Sequence, residues 1–336
     1  MLNNQKKSVV IVYGGWSHEA ALSGYPMIHK AVQELGLNST LIDMTSPHFV
    51  QELLQAKPFI VFPASHGAFH EDGKLQGLLE ILDMPYVGSG VAASGVGMNK
   101  LISKLFFSGC GFKTAPYELV TDTHIPTYKD VSARLGSTLV LKPVSSGASF
   151  GVHLVKNVNE YNNILPSLVN EFHDILVEKF IDGGGREFSI SVISTAAGVE
   201  VLPVCEIRTG SAIFDYNVKF TTALIEEKIP ADISADLNKR LADVGKCVFQ
   251  QLGCSSFARI DAIVDANQDI YILEINTLPG LLPTSIFPKA CAVAGIPYTK
   301  MINLLIDSAL IRKPMEIEKQ YVQKELPEDI KNAMSN

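Results

Sequence analysis

FARIDAIVDANQDIYILEINTLPG, residues 257–280, carries the strongest local signal in the chain. Two apolar runs flank Ala266–Asp269, the pattern of a β-hairpin. A turn centred on Asn267-Gln268 sets Asp261 opposite Glu274 and Arg259 opposite Asn276; an odd-length turn would shift that register. Strand side chains alternate, so these four residues share one face. Two carboxylates directly across a ladder repel unless positive charge lies between them. Hard oxygen ligands at this spacing suit Mg²⁺, which takes few protein ligands and completes its shell with water and nucleotide phosphates. The alternative is a solvated sheet edge at which Arg259 neutralises the acids. The apolar neighbours Ile260, Ala262, Ile272 and Ile275 favour the metal. In the TLPGLLPTS loop that follows, Gly280 can bring a backbone N–H to a substrate oxygen and Ser285 can donate to a carboxylate. A plain Pro/Gly turn accounts for that loop equally well.

Further upstream, KPVSSGASFG (142–151) ends an apolar run with Lys142-Pro143 and then places Gly147 and Gly151 among small residues. It has the make-up of a phosphate-holding loop without the GxxxxGK[ST] spacing of a P-loop, glycine letting backbone N–H groups approach an anion. The first 87 residues alternate apolar strands (SVVIVYGG, STLIDM, PFIVFPAS) with helical patterns. Ser46-Pro47 reads as the N-cap and first residue of the second helix. This rhythm places the chain in the α/β class, with a mostly parallel Rossmann-like sheet whose functional loops lie at the carboxyl ends of its strands. One helix is expected from Val91 to Ser108. Strand-like segments 112–120, 138–143, 152–156 and 174–181 with a helix at 158–172 make a smaller α+β unit. Long strand runs from 186 to 276, a helix at 232–252 and two closing helices make a third, α+β region. The expected organisation is 1–95, 96–182, 183–312 and a charged tail 313–336.

The chain has 336 residues, 47% of them hydrophobic and 19% charged, enough for full cores and against wholesale disorder. A net charge of −7 advertises no basic face for nucleic acid. The apolar run near the start is too short for a signal-peptide core or a membrane span. Five cysteines without a CxxC pair read as reduced core thiols of a cytoplasmic protein. GSGVAAS (88–94) fits a dinucleotide fingerprint weakly, since the first strand and its loop lie at 9–19 instead. SHGAFHEDG (65–73) holds two histidines and two acids; polar substrate contacts fit it better than zinc, for which no further ligands follow at a known spacing.

Taken together, GGWSHE (14–19), SHGAFHEDGKLQGLLEILDMPYVGSG (65–90), MNKLISK (98–104), LKPVSSGASFGV (141–152), VEKFI (177–181), GREFSI (185–190), DYNVKF (215–220), ARID (258–261) and EINTLPG (274–280) resemble the D-alanine–D-alanine ligases of the ATP-grasp superfamily. The motifs fall in that family's order and span roughly 1–312. The resemblance implies an ATP-grasp fold with ATP and a pair of Mg²⁺ ions (Mn²⁺ able to substitute) between the second and third subdomains. Lys100, Lys142 and Lys219 would contact phosphates, with Ser149 in the glycine loop. Glu178, Lys179, Phe180 and Ile181 would frame the adenine, and Glu187 the ribose. Asp261, Glu274 and Asn276 match the magnesium ligands. Glu19 and His66 match positions holding the first D-alanine, and Ser285 the carboxylate of the second. Arg259 and the Gly280 amide would stabilise a tetrahedral intermediate. Loops 145–151 and 209–222 would act as lids. Small amino acids and ATP are the implied partners, with no nucleic acid or membrane, and a homodimer follows by analogy.

The chain departs from that family at three places. Ala148 stands where the glycine loop usually carries serine, and Phe220 where the lid usually carries tyrosine. Those hydroxyls normally join the glutamate at Glu19 in a hydrogen-bonded triad, of which only Glu19 remains. Ala20-Ala21 replaces commonly charged residues ahead of Ser23. The main expectation is a D-alanine–D-alanine ligase working through an acyl phosphate. The second is a related ATP-grasp ligase whose acceptor is D-lactate, D-serine or another amino acid.

Overall fold

The computed structural model describes residues 7–17, 19–20, 23–147, 149–184, 186–209 and 225–311. Ala148, Lys219, Phe220 and the tail 313–336 lie outside the described residues.

Strands β1 (Ser8–Tyr13), β2 (Asn38–Asp43) and β3 (Ile60–Pro63) form a parallel sheet in the order β2-β1-β3. The central β1 is covered on both faces, which is why it reads as an unbroken apolar run. Val10 and Val12 meet Leu53 of α2 (Phe49–Ala56) and Leu75 and Leu79 of α3 (Lys74–Ile81). Val9 and Ile11 join Ile28 of α1 (Tyr25–Glu34) in a core completed by Phe287, Met301 and Leu305. Those last residues belong to the two closing helices, which therefore pack on the first sheet as well as on the third region. The start expected for α2 moves two residues along. Ser46 closes a turn instead, its carbonyl accepting the Phe49 N–H at 3.1 Å and its hydroxyl the His48 N–H at 3.2 Å.

The helix expected over 91–108 is two helices, α4 (Val91–Met98) and α5 (Lys100–Gly109). Asn99 breaks it with an extended backbone (φ −103°, ψ 104°) and caps α5 by accepting the Ile102 N–H. The Lys100 N–H is diverted to the Val144 carbonyl at 2.9 Å, so the break ties α5 to the glycine loop.

Strands β4 (Tyr117–Val120), β5 (Leu139–Pro143), β6 (His153–Val155) and β7 (Ile175–Lys179) form an antiparallel sheet in the order β4-β7-β5-β6. Two helices cover one face, α6 (Tyr128–Leu135) and α7 (Val158–Phe172), through Val131, Tyr161 and Leu165. α6 was not anticipated from the sequence, although Thr127 caps it in the T-x-x-D pattern, accepting the Asp130 N–H.

The largest sheet runs β11 (Ile225–Lys228), β10 (Cys205–Thr209), β8 (Arg186–Thr195), β12 (Phe257–Val264), β13 (Ile270–Asn276), with β9 (Gly198–Val201) also on β8. The run at 199–209 is split near Pro203, and both pieces pair with the same edge of the long β8. Helix α8 (Ala235–Gln251) covers one face through Leu241, Val248 and Phe249, leaving the other face open to the cleft. Helices α9 (Ile286–Val293) and α10 (Tyr298–Ile311) complete the described chain.

The β12–β13 register carries a correction. The turn is odd: Gln268 sits at φ 66°, and the Asp265 N–H meets the Asp269 carbonyl at 3.0 Å. Near the turn Val264 therefore faces Ile270 and Ala262 faces Ile272. An irregularity between Asp261 and Ala262 leaves Leu273 without an opposite partner and restores Asp261 to Glu274 and Arg259 to Asn276. Leu273 and Glu274 consequently both stand on the open side, where strict alternation would have buried one of them.

Gly245 of α8 approaches Ile190 so closely that a methyl group would overlap its Cγ2. Alanine adds about 1 kcal/mol of helix propensity, but overpacking a stiff buried side chain costs about 1–3 kcal/mol. Gly245→Ala is expected to lower the urea unfolding midpoint. A raised midpoint would show that the helix yields without strain.

Candidate active site

A cavity of about 780 Å³ lies where the small and large sheets and the loops of the first sheet converge. Its floor is the open face of the large sheet. Cross-strand register sets Cys205, Ser189, Asp261 and Glu274 in one row, and Ser191, Arg259 and Asn276 in the next. Glu227, Ile207, Glu187 and Ile263 form the row on the other side. Alternation along five neighbouring strands thus gathers residues far apart in sequence onto one surface.

Arg259 grips Asp261 with both arms, Nε donating to Oδ1 at 2.9 Å and Nη2 to Oδ2 at 2.7 Å. Burial opposes the guanidinium charge, but Asp261 overrides it, helped by Glu274 and Glu71, and holds the Arg259 pKa raised. The Ser189 hydroxyl donates to Asp261 Oδ1 at 2.5 Å. Lys100 donates to the Ser146 carbonyl and stands 3.6 Å from Glu274 Oε2, linking the glycine loop to the floor. The Asn276 amide oxygen accepts the Leu278 N–H at 2.9 Å, which anchors the TLPG turn.

The opposite wall belongs to the small sheet. Glu178 is nearly buried, with the Lys142 Nζ 2.9 Å and the Lys104 Nζ 3.0 Å from its Oε1. Ser149 holds φ 59° in the glycine loop. Lys179, Phe180 and Ile181 continue the wall from the end of β7.

At the first sheet, Glu19 sits between two glycine loops. A methyl group on Gly67 or on Gly147 would overlap its carboxylate. The Glu71 carboxylate accepts the Gly67 N–H at 2.5 Å and stands 3.7 Å from His66 Nδ1. His70 turns away from the cavity. It is fully buried, bonded through Nε2 to the Gly14 carbonyl at 3.0 Å, and burial pushes its pKa down to about 4. The Asp72 carboxylate accepts the Phe69 and Lys74 N–H groups, serving the turn. At the far end, Gly280 adjoins Ser285, which begins α9 without using its hydroxyl as a cap.

Within the described residues the cavity is lined by Glu19, His66, Lys100, Lys142, Ser149, Glu178, Lys179, Phe180, Ile181, Glu187, Arg259, Asp261, Glu274, Asn276, Gly280 and Ser285. Lys219 lies outside them. The lining also includes Glu71, Ser189 and the ion pair Lys289–Glu227 at 2.7 Å, none of which the sequence reading singled out. Ser189 was legible from the strand period of REFSISV; Glu71 was visible only as one acid of a mixed loop. GSGVAAS takes no part. The Gly88 N–H donates to Ser256 Oγ at 3.1 Å and its carbonyl accepts from Ser255, docking α4 onto the start of β12.

Two sheets enclosing a cavity lined by charges of both signs, with paired carboxylates on the larger one, define the ATP-grasp architecture. Residues 34–89 match the family model D-ala D-ala ligase N-terminus, and residues 106–307 match D-ala D-ala ligase C-terminus. The chain belongs to the D-alanine–D-alanine ligase family. It is 35% identical to the D-alanine–D-alanine ligase of Coprothermobacter proteolyticus over 306 residues, covering 90% of this chain and 100% of that one. The counterpart in Geobacter sulfurreducens is 34% identical, with 90% and 94% covered. The Bacillus anthracis enzyme solved in complex with ATP superposes with a TM-score of 0.78 at 27% identity, covering 91% of this chain and 98% of that one. A second structure of that enzyme gives 0.79 at 30% identity, with the same coverage.

Gly147→Ala puts a methyl group into the flexible end of Glu19, which can swing aside. Thermal stability is expected to hold, while kcat/KM falls on the order of 10- to 100-fold from displacement of that carboxylate. Unchanged kinetics would remove Glu19 from the substrate site.

Proposed function

We propose that the chain condenses two molecules of D-alanine with ATP, giving D-alanyl-D-alanine, ADP, phosphate and a proton. The observation that carries this reading is that Lys142 of the small sheet, Lys100 of α5, and Arg259, Asp261 and Glu274 of the large sheet converge on one cavity. Family membership supports the same reading.

Nucleotide would lie between the sheets, its base against Lys179, Phe180 and Ile181 and its phosphates toward Lys100, Lys142 and the glycine loop. Glu187 would take the ribose. The first D-alanine would sit at Glu19 and His66, and the second would place its carboxylate at Ser285. The first carboxylate attacks the γ-phosphorus, the bond to the β-phosphate oxygen breaks, and ADP leaves behind an acyl phosphate. The amine of the second D-alanine then attacks the acyl carbon and loses a proton as phosphate departs. Arg259 and the Gly280 N–H face the oxygen on which charge develops. Lys219, outside the described residues, is proposed to add a further cation. Most of this work is positioning and charge neutralisation.

Asp261, Glu274 and Asn276 fit Mg²⁺. Among the described residues no three His, Cys, Asp or Glu cluster as a metal site. The set here is instead two hard carboxylates and an amide oxygen, whose charges Arg259 and Lys100 already balance, matching an ion that keeps water and phosphate oxygens. Bound there, it would shield the phosphate oxygens from one another.

Boundaries near 95 and 182 would separate a substrate subdomain, a small nucleotide subdomain and a large one reaching to 312. A homodimer in the cytoplasm serving cell-wall precursor synthesis is part of the same proposal. Among the described residues no helix is long and apolar enough to cross a membrane.

Phosphate release measured with ATP, Mg²⁺ and D-alanine is expected to be saturable and to match dipeptide formed. No release with D-alanine, but release with D-lactate, D-serine or another pair, would transfer the assignment to the altered-acceptor reading.

A further inference from the structure

Lys104 lies one helical turn beyond Lys100 on α5, and the function above gives it no task. Its side chain is 1% exposed. The ammonium donates to Thr114 Oγ1 at 2.8 Å and to the Ala115 carbonyl at 3.0 Å, and it stands 5.2 Å from the Tyr117 ring centroid. Among the described residues only one anion is in reach, the Glu178 carboxylate at 3.0 Å. Lys142 contacts the same oxygen at 2.9 Å.

One buried carboxylate therefore serves two ammonium groups, leaving one positive charge in excess. Lys104 is the more deeply enclosed and is held by two neutral acceptors besides. Lys142 lines the cavity. We propose that Lys104 is a positioning residue that carries the counter-charge of Glu178, so that the charge of Lys142 remains available to the nucleotide phosphates.

Without Lys104, Lys142 and Glu178 become a neutral pair in a poorly hydrated wall, where a close ion pair resists separation. The phosphate would then compete with Glu178 for Lys142. The inference rests on the nucleotide reading above. Burial, and then the neighbouring Lys142, push the Lys104 pKa down to about 8 against the pull of Glu178. The groups facing the ammonium are Glu178 on β7, Lys142 on β5, the Tyr117 ring on β4 and the neutral Thr114 and Ala115 acceptors. The excess charge should therefore be lost as pH rises through about 8.

The test measures KM for ATP and the inhibition constant of adenosine, which has no phosphates, in wild type, Lys104→Met, Glu178→Gln and the double variant. Lys104→Met is expected to raise KM for ATP about tenfold, the scale of one lost charge-assisted contact. Adenosine binding should change less than about twofold, half of a kcal/mol or less. In the Glu178→Gln background the same substitution should leave KM for ATP nearly unmoved, because no carboxylate remains to capture Lys142. Equal losses for ATP and adenosine, or equal losses in both backgrounds, would show that Lys104 only packs, and would overturn the proposal. Should Lys104→Met fail to fold, the double variant removes both charges, and the wild-type pH profile supplies the second readout. A rise in KM for ATP above about pH 8 supports the proposal and a flat profile overturns it. A wild type with no saturable ATP dependence would instead sink the nucleotide reading itself.

Discussion

Asp261 and Glu274 face each other across one antiparallel ladder, and everything at the cavity floor depends on that pairing. Like charges so placed repel unless cations share the space. Arg259 and Lys100 supply that charge, one beside Asp261 in the same strand and the other reaching over from α5. The pairing exists only because one irregularity cancels another. The odd turn at 265–269 would by itself set Asp261 against Leu273 and send Glu274 and Asn276 to the α8 side. The extra residue at Leu273 returns them to the cleft.

The same device recurs elsewhere: a carboxylate taken out of water and held by more than one cation. Glu178 has Lys104 and Lys142. Glu206, fully buried on the reverse face of the large sheet, has Arg186 and Arg208 together with the Asp232 N–H. Burial alone would raise the Glu206 pKa, but the two arginines and that N–H bring it down to about 2. Lys142 meets Glu178, and Arg186 meets Glu206, across neighbouring strands, so register determines those contacts, while helix α5 supplies Lys104. The large sheet is joined to the first by a shared core, in which Ile193 and Phe257 pack with Ile11, Phe62 and Phe287. The cavity floor and the loops of the first sheet are therefore held by common packing.

Much of this was legible where local chemistry and long-range order agree. Helix α7 is bounded as its sequence suggests, with Asn157 accepting the Asn159 and Glu160 N–H groups at its start. The long β8 was readable from REFSISVIST alone. The odd turn was not, because it relies on Gln268 adopting a left-handed conformation and on Asp265 Oδ1 accepting two backbone N–H groups. Nor was the break at Asn99, where a tertiary bond from Lys100 to Val144 outweighs helical continuity. The sequence-predicted residues that line the cavity were named through the family resemblance and through the hairpin. Lys104 and Glu71 escaped both, since one looks like an ordinary helix lysine and the other like one acid of a polar loop.

The central claim is that the opposed carboxylates turn this cleft into a site for metal-bound nucleotide. Calorimetric titration of ATP with and without Mg²⁺, in wild type and in Glu274→Gln, tests it most directly. The account predicts that Mg²⁺ tightens ATP binding to the wild type by roughly tenfold or more, about 1.4 kcal/mol, and that Glu274→Gln loses most of that gain. Equal ATP affinity with and without Mg²⁺, or a gain that survives in Glu274→Gln, would contradict it.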